Sequence, residues 1–100
     1  MNLSPKNSVI HLPAKEEFIS FYNEVINRYK FTYRNSKVKH SWSQQDVVIL
    51  LWLANWQYSR KRVHPIDFER EDWLLIASMV PFRSSEDCMY KWLSLRNNQL

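Results

Sequence analysis

The sequence predicts an all-α fold, and three observations carry that expectation. Apolar residues recur at helical spacing in four separate stretches. Serine, aspartate and proline punctuate those stretches as helix starts and stops. Glycine is absent, which disfavours tight hairpins needing positive φ and excludes a Gly-rich phosphate loop. The chain has 100 residues, is 45% hydrophobic and 15% aromatic, and carries five tryptophans. That suits one domain with a modest core built around the tryptophans.

Residues 1–12 hold no periodic pattern and read as a loose or clasping arm. Pro13 stands where a helix can begin. From Ala14, Phe18, Tyr22, Val25 and Tyr29 recur at i, i+4, i+7 and i+11, with Ile19 and Ile26 beside them. This predicts an amphipathic helix over 14–30. Residues 28–40, RYKFTYRNSKVKH, then carry cations and no anion, with Tyr29, Phe31 and Tyr33 alternating with Lys30, Thr32 and Arg34. The period of two predicts an extended segment. Its rings either pin the linker to the core or stack on nucleic acid, and its cations either stay solvated or meet phosphate.

Ser43 is a candidate N-cap, with Asp46 three residues on completing a capping-box pair. A helix is predicted over 44–58, apolar nearly all round from Val47 to Ala54, so it should be covered on more than one side. Pro65 breaks any helix in the RKRVHPIDFERED stretch. A further helix is predicted over 69–80, with Trp73, Ile76, Ala77 and Val80 on one face and Pro81 ending it. Ser84 is the candidate N-cap of the last helix, with Asp87 at N3, and Cys88, Trp92 and Leu95 form its inner stripe.

The net charge of +4 is unevenly placed. Residues 1–42 hold seven cations and three anions, whereas residues 43–100 hold seven of each. A polyanion would be drawn first to the N-terminal part. A single cysteine forms no internal disulfide, which favours a reducing compartment. The N-terminus shows no apolar signal-peptide region. The longest apolar run, Val47 to Ala54, is too short to span a bilayer, so no membrane association is expected.

Three blocks resemble the Myb/SANT family. SWSQQDVVILLWL is similar to its opening, DWLLIASMV to its middle helix, and RSSEDCMYKW to its last helix. The resemblance covers residues 41 to 96, and the third block is its most specific part. Trp73 to Trp92 spans nineteen residues, as in the family, but Trp42 to Trp73 spans thirty-one. The excess falls in residues 59 to 69, and no glycine follows the first family helix. The resemblance implies a three-helix Myb/SANT-like helix-turn-helix bundle over 41–100. To this the chain adds an extended first loop and, in residues 1–40, the arm, the amphipathic helix and the basic-aromatic segment.

The resemblance further implies a nuclear, chromatin-associated module that binds either duplex DNA or, in SANT-type relatives, a histone tail or another complex subunit. At the positions where DNA-binding members present Lys, Arg or Asn to base edges, this chain has Glu86, Met89 and Tyr90. None is a strong reader of bases. DNA association is therefore expected mainly through phosphate, with Arg60, Lys61, Arg62, Lys37, Lys39, Arg83 and Lys91 as candidate contacts. The alternative is protein interaction through Glu86, Met89 and Tyr90. Trp52 and Trp56 join that set if the Val48–Trp52–Trp56 stripe is not covered by helix 14–30, the favoured cover. His11, His40 and His64 lack metal-ligand spacing, and Cys88 falls on the inner stripe. No metal, cofactor, small-molecule substrate or catalysis is expected.

Overall fold

The computed structural model describes residues 12–33 and 41–98, with side chains described for all but 30–33 and 98. The protein is all-helical over these residues. Four α-helices, α1 (Lys15–Tyr33), α2 (Gln44–Lys61), α3 (Arg70–Ala77) and α4 (Ser85–Asn98), follow one another, with a short 3₁₀ turn at Pro65–Asp67 between α2 and α3.

The caps are where local chemistry dictates. Ser43 N–H donates to Asp46 Oδ2 and Asp46 N–H donates to Ser43 Oγ, both at 3.1 Å, so two orphan amides of α2 are satisfied reciprocally. Ser84 and Asp87 repeat the arrangement at α4, at 3.0 and 3.1 Å. At α3, Glu69 N–H donates to Asp72 Oδ2 at 2.9 Å.

Several boundaries differ from the sequence expectation. The helix anticipated over 14–30 continues to Tyr33, so residues 31–33 are helical and not extended. An alternation of a few residues is a weak signal, and extending an existing helix adds a hydrogen bond for each residue ordered. Residues 34–40 lie outside the described part. α2 runs three residues beyond 58, to Lys61, and ends at Arg62, whose φ of 60° is left-handed and whose N–H donates to Tyr58 O. With no glycine available, a cationic residue takes the αL stop, at a cost of about 1 kcal/mol. α3 is shorter than 69–80. Met79 N–H turns back to Ile76 O and Val80 N–H to Ala77 O, tightening the chain before Pro81. Proline disfavours the helical region for the residue before it, so the helix unwinds in advance. The stretch expected as plain loop forms the 3₁₀ turn, with Pro65 and Phe68 buried.

One core joins all four helices. Phe18, Val25 and Tyr29 of α1 belong to the same cluster as Ile49, Leu50, Leu53 and Ala54 of α2, Trp73 and Ile76 of α3, and Cys88 of α4. α2 packs on α3 and α4 along one side. On the other side α1 lays Phe18 flat on Trp52, with ring centroids 4.0 Å apart and planes 2° from parallel. Trp52 Nε1–H donates to Pro13 O at 2.8 Å, and Tyr22 OH donates to Met79 O at 2.7 Å, tying α1 to the α3–α4 turn. Tyr29 OH donates to the buried Asp46 carboxylate at 2.7 Å. α1 therefore occupies the Trp52 part of the Val48–Trp52–Trp56 stripe.

A second buried carboxylate ties α2 to α3. Asp72, only 3% exposed, accepts from Gln57 Nε2 at 2.8 Å and from Lys61 Nζ at 2.9 Å, besides the Glu69 amide. Burial raises its proton affinity, but the bonds from Lys61, Gln57 and Glu69 outweigh that and hold the carboxyl below its ordinary value. The stabilisation that follows is present above the ordinary carboxylate range and is lost as pH falls through the depressed folded value. Asp72→Ala should cost about 3 kcal/mol, because it strands Gln57 and Lys61. Urea melts of the variant should also lose part of the wild-type acid sensitivity below about pH 4.

Candidate functional site

The candidate phosphate contacts separate into distinct environments. Arg60 folds back on its own helix, donating to Gln57 Oε1 from Nε at 3.1 Å and from Nη2 at 3.0 Å. Its guanidinium lies 4.9 Å from the Trp56 ring centroid. Lys61 is committed to Asp72, and that hydrogen bond, with Glu69 and Glu71 nearby, raises its pKa. Arg62 is exposed at the end of α2. Lys61 is thus paired with Asp72 in the acidic first turn of α3, whereas Arg60 and Arg62 are exposed.

Arg83 and Lys91 form a second group. The Arg83 guanidinium covers the Trp42 ring at 4.4 Å, and Lys91 Nζ stands 6.0 Å from the same ring. Trp42 is half-buried, so these cations seal the edge of the core as well as carry charge. Lys37 and Lys39 lie outside the described residues. Of the described candidates, Arg83 and Lys91 share the Trp42 ring, and Lys61 meets Asp72 of α3. Arg60–Arg62 sit at the α2–α3 junction, and Arg83 and Lys91 sit on the Trp42 side of α4.

The other candidate residues come together on α4. Its inner stripe is Cys88, fully buried, with Trp92 and Leu95 half-buried. The opposite face presents Glu86, Tyr90, Leu93 and Asn97 at i, i+4, i+7 and i+11. Tyr90 is 64% exposed, more than any other large hydrophobic residue described. Leu93 is half-buried and lies outside the core cluster. Beside this face, Phe68, Trp73 and Met89 wall a hollow of about 230 Å³. Ser85 and Glu86 of α4 and Arg70 of α3 also line it. Trp56 is half-buried, packed against the core with Arg60 over its ring.

Sequence reasoning did not place Phe68 or Leu93 at this surface. Phe68 falls in the long first loop, where no periodicity assigns a face. Leu93 was recoverable from its spacing, seven residues from Glu86 and three from Tyr90. The Arg83–Trp42–Lys91 stack is also new, because it joins α4 to the residue ahead of α2.

The remaining reactive side chains are occupied by the fold. His64 accepts the Ile66 amide through Nδ1 at 3.2 Å, capping the 3₁₀ turn, and its ring meets Trp92 edge-on. Among the described residues no three His, Cys, Asp or Glu side chains are placed to hold a metal ion. No helix of the described residues is long and apolar enough to cross a membrane. Burial pushes the Cys88 thiol up to about 12, with Asp87 adding to the shift and Arg83 opposing it. Labelling of Cys88 by a thiol reagent near pH 8 should therefore run at least about a hundredfold slower in the folded chain than in urea. Comparison with family models, with curated proteins and with solved structures finds no match to this chain.

Proposed function

We propose that this chain is a Myb/SANT-like protein-interaction module of a chromatin-associated nuclear assembly, docking its partner on the outer face of α4. The observation that carries this reading is the exposed Tyr90, flanked by Glu86 and Leu93, on a face whose Glu86 also lines the Phe68–Trp73–Met89 hollow. Tyrosine and methionine are enriched at protein interfaces, and an apolar hollow with a charged rim suits an anchoring side chain. An acid at the head of this face repels phosphate.

The three-helix family architecture is part of the same proposal. α2, α3 and α4 pack on one another, and Trp73 and Trp92 face each other at 6.3 Å between centroids. α1 is an addition that thickens the core. The module carries no catalytic step in this reading.

Duplex DNA binding through phosphate is the second reading, and the exposure of Arg60 and Arg62 at the end of α2 favours it. A salt titration separates the two. The docking reading expects no duplex binding tighter than about 100 µM even at low salt. Tighter binding that falls steeply with salt, and that weakens equally for all sequences when Arg60, Lys61 and Arg62 are changed to alanine, would establish the phosphate reading instead.

A further inference from the structure

A second hollow, of about 180 Å³, opens between α2, the residue ahead of the 3₁₀ turn and the last turns of α4. Leu51, Trp92 and Leu95 wall it with apolar surface, and His64 and Arg96 supply its polar side chains. No described acid lines it, and it shares no lining residue with the Phe68–Trp73–Met89 hollow.

Both polar side chains are donors. His64 Nδ1 accepts the Ile66 amide at 3.2 Å, so the proton of the neutral ring stands on Nε2, at the tip away from the backbone. Edge-on contacts with Tyr58 and Trp92, at 6.2 and 5.9 Å between centroids, restrain the ring further. Arg96 follows Trp92 by four residues, one turn on along the same helix face. Its guanidinium offers five N–H donors and no acceptor. Among the described residues no side chain bonds to it or pairs with it. A ligand cation finds no carboxylate in this lining, whereas an anion finds two donors and one positive charge.

We propose that this hollow binds a small monocarboxylate whose apolar part is a single ring or one branched chain. The carboxylate accepts from the Arg96 guanidinium and from His64 Nε2–H, and the apolar part lies against Trp92 between Leu51 and Leu95. Size sets the upper limit, since sites for drug-sized ligands begin at about 300 Å³. Charge sets the other limit. One guanidinium balances one negative charge, and a phosphate dianion would leave half of its charge unmet beside apolar walls. So few buried ligand atoms give weak binding, with Kd on the order of 1 mM.

NMR titration of the full chain with phenylacetate, near neutral pH, tests this. The indole N–H of Trp92 and the resonances of Leu51, His64 and Leu95 should shift together and saturate with Kd on the order of 1 mM. Phenylacetamide keeps the shape and removes the charge, and should bind at least about tenfold more weakly. Inorganic phosphate lacks the apolar part and should also bind at least about tenfold more weakly. Arg96→Gln should cost about tenfold or more, and the exposure of Arg96 leaves the core untouched, which a melting curve checks. His64→Asn keeps a side-chain oxygen for the Ile66 amide and removes the Nε2–H, so it should weaken binding about three- to tenfold with the turn intact.

An absence of shifts at about 20 mM phenylacetate overturns the proposal. So do shifts centred on other residues, equal binding of phenylacetamide or phosphate, or indifference to Arg96→Gln in a folded variant. Failure here leaves the docking reading of the α4 outer face standing, because Glu86, Tyr90 and Leu93 take no part in this site.

Discussion

An apolar surface that runs nearly all the way round α2 is the constraint on which the rest of the structure depends. Val47, Ile49, Leu50, Leu53 and Ala54 are buried, and Trp52 and Trp56 add large rings on the flank. No single neighbouring helix covers so wide a surface. α3 and α4 take one side and α1 the other, and a chain of this length has little else to spend on a core. The flat stack of Phe18 on Trp52 is the contact by which α1 meets that demand. α1 thus covers what α2 would otherwise expose.

Two buried carboxylates fix how these helices meet. Asp46 and Asp72 each cap the helix they stand in and also accept a side-chain bond from another, Tyr29 of α1 and Gln57 of α2 respectively. Burying an acid is costly unless its oxygens are satisfied, and the hydrophobic contacts alone permit helices to slide or rotate. The direction required by these bonds removes that freedom. The same pairing shapes the surface. Lys61 is drawn into the α2–α3 junction by Asp72, while Arg60 is held against its own helix by Gln57.

The two faces of α4 differ in chemistry. Cys88, Trp92 and Leu95 serve the core, and the opposite face offers an acid, a tyrosine and a leucine. In such a helix the buried and exposed faces answer to separate demands. Packing dictates one of them, and whatever the helix meets in solution dictates the other.

Much of the fold was legible in the chain itself. The helical class, the Ser43 and Ser84 caps, the core face of α1 and the inner stripe of α4 follow from interactions within four residues, which periodicity and capping chemistry report directly. The absence of glycine told in advance which turns were excluded, though not that Arg62 and Phe82 would adopt φ of 60° in its place. The end of α1 and the end of α3 were less legible, because helix propagation and a downstream proline compete over a few residues with nearly equal energies. The hollow beneath Glu86, the Arg83–Trp42–Lys91 stack and the sequestering of Lys61 were decided only by tertiary structure. Each joins residues from different helices, and the relative placement of helices is set by long-range packing that no local pattern encodes. The residues of the α4 face were determined by the sequence. Whether they stand beside a cationic surface or an apolar one was determined by what the fold brought next to them.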